Sequence, residues 1–255
     1  MPDALVDPKS LLNKVARRLS DYGAFEAEDF AAVAGLSGEA LTCPRGTDLT
    51  DRADQGPHIV LSGWACQMRL HAERRQIFSF FMPGDIVGSF WRRPEFAFCR
   101  IVALTRLRTI PTKPLFAASD VGDLRHRRVI DAARRAEDHA QHRLFDHMVR
   151  LGGRDAYSGL AHLLLELHTR MCEVGLADAA GFQLPLGQRV LAQALGFSVA
   201  HVNHTLQRLI GDGLLEVDGG AIRLLQPGRM AALADFRTAD FVALPARLPM
   251  EGHQQ

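Results

Sequence analysis

Between residues 199 and 207 the chain carries Val199, Ala200, His201, Asn203, His204 and Gln207, spaced so that a helix would turn them to one side. The residues between and around them, Leu191, Leu195, Phe197, Val202, Leu206 and Leu209, are apolar and would form the opposite, buried face. Such a helix offers its first turns to the edges of bases in a DNA major groove. The stretch from Gln188 to Leu209 has the rest of what two crossed helices need. Ala192 is small where the helices would meet, Gly196 can take the positive φ of the turn, and Ser198 can cap the second helix. The candidate DNA-facing set is therefore Gln188, Arg189, Ser198, Val199, Ala200, His201, Asn203, His204, Gln207 and Arg208. Arg189, Arg208 and Arg223 are phosphate-contact candidates, with a solvated-face role the plain alternative for each.

A groove-reading helix needs a scaffold, and the surrounding sequence supplies one. Leu214–Val217 and Ala221–Leu225 flank Asp218-Gly219-Gly220, a hairpin signal that would form a wing. Ala156 to Val174 reads as an apolar helix, followed by a loop through Gly181. Upstream, Asp123 to Leu151 contains neither Pro nor Gly and predicts one long helix, with Gly152-Gly153 as a hinge after it. Ile130, Ala133, Glu137, Ala140, Leu144, His147 and Leu151 recur at 3–4 spacing, a seam suited to the same helix of a second subunit. The alternative is that this seam packs on the chain's own N-terminal half. His147 on a dimer seam would make association pH-sensitive.

From Leu41 to about Pro114 the pattern is different. Short apolar runs, His58–Leu61, Ala65–Leu70, Gln76–Phe81 and Arg100–Leu104, are punctuated by Pro44-Arg45-Gly46, Gln55-Gly56-Pro57, Ser62-Gly63 and Pro83-Gly84-Asp85. That rhythm predicts an antiparallel, jelly-roll-like β-roll. Two short helices, Ser10–Leu19 and Glu26–Val33, precede it. The fold class expected is thus α+β, in four parts: a sensor roll with its helices over 1–122, a dimerisation helix over 123–151, a winged helix-turn-helix over 152–241 and a tail over 242–255.

With those elements placed, the chain resembles the Crp/Fnr-type regulators, bacterial two-domain proteins with a β-roll and a winged helix. The resemblance rests on Arg74-Arg75-Gln76-Ile77 with Pro83-Gly84-Asp85, LGGRDAYSGLAHLLLELHTR from Leu151, LPLGQ from Leu184 and ALGFSVAHVNHTLQRLIGDGLL from Ala194, and runs from about Ala24 to Phe241. It implies a homodimeric transcription regulator that reads a near-palindromic operator in double-stranded DNA, with RNA polymerase as a further partner. Three departures bear on what is read: Gly187 stands where the branch has Thr, His204 where it has Arg, and Ala200 where better-known members have Glu. Arg can bond a guanine bidentately and His cannot, so the expected operator differs from the family's usual half-site.

The resemblance also locates an effector pocket in the roll around Gly84, Asp85, Gly88 and Ser89. Cyclic-nucleotide binders carry Gly-Glu there, followed by Arg-Ser or Arg-Thr; Gly88-Ser89 and the lack of such a pair before Arg100 argue against cyclic AMP. Cys43, Cys66, Cys99 and Cys172 lie too far apart for a Cys-only zinc or iron–sulfur site, and Cys66 and Cys99 read as inert core residues. His139 with His142, and His142 with Asp146, have metal-compatible spacing but read as surface or interface residues, so no metal is assigned and the cofactor stays unspecified. Trp64, Trp91 and the Phe78–Phe81 aromatics read as filling for the roll.

No apolar run approaches the ~18 residues of a membrane span, and the N-terminal MPDALVDPKSLLNK lacks a signal-peptide pattern. A cytoplasmic protein without membrane contact is expected. Net charge is +1, so any attraction for nucleic acid must be local. No nucleophile elbow, phosphate loop or HExxH motif occurs, which argues against an enzyme. The remaining alternative is a family member that has lost strong specific DNA binding and serves as a protein-interaction or ligand-sensing module.

Overall fold

In the computed structural model, residues 7–36, 40–50, 57–71, 74–88, 99–112, 115 and 126–237 are described. Helices α1 (Pro8–Ser20) and α2 (Ala27–Ala34) come first. Asp7 caps α1 by accepting from the amides of Lys9 and Ser10, and its buried face is Leu11, Leu12, Val15, Ala16 and Leu19. A capping box between Glu26 and Asp29 starts α2.

Among the described residues, seven strands then build the roll as two sheets. One has the order β1 (Leu41–Cys43), β7 (Leu107–Pro111), β2 (His58–Ser62), β5 (Ile86–Val87); the other β4 (Arg74–Phe81), β3 (Ala65–His71), β6 (Arg100–Ala103). The described pairings within both sheets are antiparallel, and β3 and β4 form a hairpin with Ala65 opposite Phe81 and His71 opposite Arg74. The turn from β2 to β3 depends on Gly63, at φ 84°, where any β-carbon would run into the Arg106 carbonyl.

The long helix α3 (Arg127–Gly152) follows, then α4 (Ala156–Glu173), capped by Asp155 accepting from the Ser158 amide at 2.8 Å. Strands β8 (Ala177–Asp178) and β9 (Gly181–Gln183) lead to α5 (Gln188–Leu195) and α6 (Val199–Gly211). The wing, β10 (Leu215–Asp218) and β11 (Ala221–Leu224), joins β9 and β8 in a four-stranded sheet, and α7 (Pro227–Ala234) closes against α4. The segment read as a loop through Gly181 therefore holds two strands. They are only two and three residues long, too short to show a period of two in sequence.

One core serves both halves. Trp64, Cys66, Ile77, Phe80 and Met82 of the roll pack in the same cluster as Leu160, Leu163, Leu164 and Leu167 of α4 and Leu191, Leu195 and Leu209 of the helix-turn-helix. Strand β4 lies directly against α5, and Gln76 Nε2 donates to the Ala194 carbonyl at 3.4 Å. Gly152 ends α3, and Gly153 takes φ −112°, ψ −7°, a conformation open to any residue. The two halves are thus joined by packing as well as by the glycine pair.

A second cluster buries α1 and α2 against the roll and the first turns of α3, where Val129 and Ala133 pack. Here the expected dimer seam needs correction. Ile130, Ala133 and His147 are buried within the chain itself, His147 edge-on to Phe78 of β4, while Glu137, Ala140 and Leu144 line a cavity between α3 and the roll. Of that seam, Leu144 and Leu151 keep large exposure, and they join a neighbouring stripe of Phe145, Met148 and Val149. Helix α3 has apolar residues on two faces, and a period alone does not say which face the chain covers for itself.

Candidate nucleic-acid interface

Helix α6 is built as the spacing required. Gly196 stands at φ 73° with its amide bonded to the Ala192 carbonyl, ending α5 in a left-handed turn. Ser198 caps α6, its Oγ accepting from the His201 amide at 3.2 Å. Leu191, Ala192, Leu195, Val202, Leu206 and Leu209 are buried, and Thr205 is buried with its hydroxyl donating to the His201 carbonyl at 2.8 Å. Burying this apolar face fixes the roll of α6 about its axis, so its other side must face out.

That outer side carries Ser198, Val199, Ala200, His201, Asn203, His204, Gln207 and Arg208, all exposed. Two refinements come from the fold. Gln188, at the start of α5, donates from Nε2 to Asn203 Oδ1 at 3.0 Å, so the two helices present one joined amide pair. The Phe197 ring, half-buried in the turn, stacks on His201 with centroids 5.1 Å apart and planes at 22°, which restrains that imidazole. Gly187, the N-cap of α5, makes no side-chain cap bond and leaves only backbone there.

The arginines divide. Arg189 is exposed beside Gln188. Arg208 lies over the Tyr157 ring at 4.3 Å and 3.9 Å from Asp212, which itself accepts from the Tyr157 hydroxyl. Arg223 pairs with Glu216 across the wing at 3.2 Å. Both pairs are exposed, where such contacts hold a side chain only weakly.

Of the four residues expected at an effector pocket, Ser89 lies outside the described residues. Gly84 is at φ 91° against Val174, Asp85 is buried, and Asp85 and Gly88 border a cavity of about 260 Å³ between the roll and α1, α3 and α4. Asp85 is engaged there by two arginines. Arg170 meets its Oδ2 at 2.7 Å and Arg18 its Oδ1 at 3.3 Å, and the two guanidinium groups hold the carboxyl below its ordinary pKa against the opposing pull of burial.

Sequence reasoning missed this charged set. Arg150 donates to Glu166, Glu166 accepts from Arg170 at 3.2 Å, and His162 Nδ1 lies 3.0 Å from Arg150, all buried. The available signal was Glu166 and Arg170, four apart and just after the leucine run Leu163–Leu165. Burial first, then Arg150, drives His162 down to about 3 and His147 to about 4. Cys66 is buried and its thiol is pushed up to about 12 by burial, as an inert core cysteine should be. Among the described residues no group of three or more His, Cys, Asp or Glu side chains is placed to hold a metal ion, and no helix is long and apolar enough to cross a membrane.

Comparison with known proteins agrees with this architecture. Residues 160–233 match the Crp-like helix-turn-helix domain. Over 169 residues the chain is 32% identical to the nitrogen fixation regulation protein FixK of Bradyrhizobium diazoefficiens, covering 63% of this chain and 66% of that one. The chain thus carries a Crp-like helix-turn-helix domain and is similar to regulators of the Crp/Fnr family. A second relative, the transcriptional activatory protein AadR of Rhodopseudomonas palustris, is 29% identical over 171 residues, or 63% of this chain and 65% of its own length. The chain thus spans just under two thirds of these curated relatives. Among solved structures, FixK2 from Bradyrhizobium japonicum superposes with a TM-score of 0.60 at 23% identity, covering 78% of this chain and 98% of that one. The c-di-GMP-responsive global regulator CLP of Xanthomonas campestris follows at 0.53 and 18%, covering 78% and 99%. At those identities the likeness concerns the fold, with its β-sheet N-terminal half and C-terminal helix-turn-helix.

Proposed function

We propose that this chain is a cytoplasmic, DNA-binding transcription regulator of the Crp/Fnr type that works as a homodimer on a near-palindromic operator, without response to cyclic AMP and without enzymatic activity. The observation that carries the reading is α6, capped, buried on one side, and exposing a row of polar groups next to a β-wing. A helix so mounted can enter a major groove while Arg189 and the wing approach phosphates. The exposed stripe Phe145, Met148 and Val149 supports the dimer, because large apolar side chains at this spacing on a long helix gain by covering one another. Two such subunits would set their recognition helices about 34 Å apart. RNA polymerase is the further partner that a regulator of this kind addresses.

Selection of bound sequences from a random duplex pool tests the reading and reports the operator. Enriched inverted repeats, with affinity falling steeply as salt rises, are expected. Failure to retain any duplex at low salt would instead favour a module that acts through protein contacts. Phe145→Glu should convert the dimer to a monomer in analytical ultracentrifugation.

A further inference from the structure

Near its end α4 sets His168 and Cys172 four residues apart, so both side chains leave one face of the helix. Cys172 Sγ lies 3.5 Å from His168 Nε2. The same nitrogen is 2.7 Å from the carbonyl oxygen of Asp178, at the end of β8, and that oxygen is 3.9 Å from the sulfur. Three donor atoms of different kind, a ring nitrogen, a sulfur and an oxygen, thus face one another from two elements. The Phe182 ring of β9 is tilted against the imidazole with centroids 5.7 Å apart, which limits how that ring can turn. Asp178 Oδ1 accepts from the amides of Ala180 and Gly181, a turn that holds the carbonyl in place. Solvent reaches the spot, since His168 and Cys172 are half-buried and Asp178 is exposed.

The carbonyl meets two protons here, one on the nitrogen and one on the sulfur, and a single cation can take the place of both. Donors at the usual zinc distances, about 2.3 Å for sulfur and about 2.0 Å for nitrogen, stand roughly 3.5 Å apart across a tetrahedral angle. That is the separation found between Cys172 and His168. Thiolate and imidazole suit zinc and its thiophilic neighbours, whereas magnesium and calcium take oxygen ligands. Burial, then the charges of Asp178 and Glu173, raise the Cys172 thiol above its ordinary pKa, and the same two carboxylates favour a cation at the sulfur. We propose that His168 and Cys172 form a surface site for a divalent, thiophilic metal ion, zinc, with the Asp178 carbonyl as third donor and water completing the shell. On binding, the thiol gives its proton to solvent as the sulfur–metal bond forms, and the imidazole stays neutral, its proton passing from Nε2 to Nδ1. The ion clamps the last turns of α4 to the β8–β9 turn, and β9 in turn pairs with the wing strand β11. The site stands apart from the proposed reading of DNA, and its test contains no DNA.

The test titrates the full, reduced, metal-free chain with zinc by calorimetry and with cobalt(II) by absorption. One equivalent of zinc should bind saturably, release about one proton per ion and raise the melting temperature, while magnesium does none of these. Cobalt(II) should give a thiolate charge-transfer band in the near ultraviolet. Cys172→Ser should abolish that band, and both it and His168→Gln should weaken zinc by about tenfold or more, at least what the loss of a supporting contact costs a metal site. Cys99→Ser, which removes the other half-buried thiol, should leave band and affinity unchanged. In the parent protein zinc should shield Cys172, and not Cys99, from alkylation, read by peptide mass, so this arm decides the matter even if a variant fails to fold. The proposal is overturned by any of four results: no saturable zinc binding, a band that survives Cys172→Ser or vanishes with Cys99→Ser, undiminished affinity in His168→Gln, or alkylation of Cys172 that zinc does not slow. The three atoms would then be hydrogen-bonding partners only.

Discussion

Helices α4 and α6 are neighbours with opposite treatment of their polar groups. Along α4 the buried residues include His162, Glu166 and Arg170 as well as its leucines, and each of the three meets a partner inside the chain. Along α6 only Val202, Thr205, Leu206 and Leu209 are buried, and Asn203, His204 and Gln207 face out. Buried polar groups must be satisfied at home or the fold pays for them, whereas exposed ones can wait for a partner. The difference separates polar residues that hold the molecule together from those left to recognise something else.

The comparison can be broken hardest at Arg170. Arg170→Met leaves Asp85 and Glu166 buried without their shared cation and removes the bond to the Phe80 carbonyl. A loss of about 3–5 kcal/mol is expected in urea denaturation, with proportionate damage to every function. Acid should reach the same interior. His147 and His162 are kept neutral in the fold, at about 4 and about 3, against an ordinary 6.5. Below pH 6.5 the unfolded chain takes up protons that the fold refuses, so the stability present above 6.5 drains as the pH falls toward 4. Between pH 6.5 and 5.5 the two together should cost about 2 kcal/mol, and His162→Gln should remove part of that slope. The lowered carboxyls of Asp85 and Glu166 add to the loss further down, as the pH falls through the ordinary carboxylate range and below it.

On the exposed helix the effects should appear in binding and leave folding alone. His204→Arg should tighten binding to a selected operator by about 1–2 kcal/mol, in the range of one bidentate base contact, with little change in melting temperature. A lower or unchanged affinity would show that position 204 faces no guanine. The smallest effect is at the cap. Ser198→Ala should cost about 1 kcal/mol of stability, because only the His201 amide loses its acceptor.

What could be read from the sequence follows from the same contrast. The crossed helices were legible because Ala192, Gly196 and Ser198 each act within a few residues of where they stand. Strands β3 and β4 were legible as short apolar runs, Ala65–Leu70 and Gln76–Phe81, although their pairing was not. The seam on α3 was found as a periodic stripe but assigned to a second subunit, although Ala133 and His147 are covered by the chain's own α1 and β4. The ion series escaped notice because its links join residues 67 and 85 positions apart, Arg18 to Asp85 and Arg170 to Asp85.

By itself, the sequence determined the order and kind of elements, the helix-turn-helix with its outward residues, and the resemblance to Crp/Fnr regulators. Local propensity, periodicity and turn chemistry act over a few residues and are written in every short window. Only the tertiary structure decided which face of α3 stays bare, that roll and winged helix share one core, and that Arg18 and Arg170 meet at Asp85. Those outcomes depend on which distant side chains arrive in the same low-dielectric space, and no spacing along the chain encodes that.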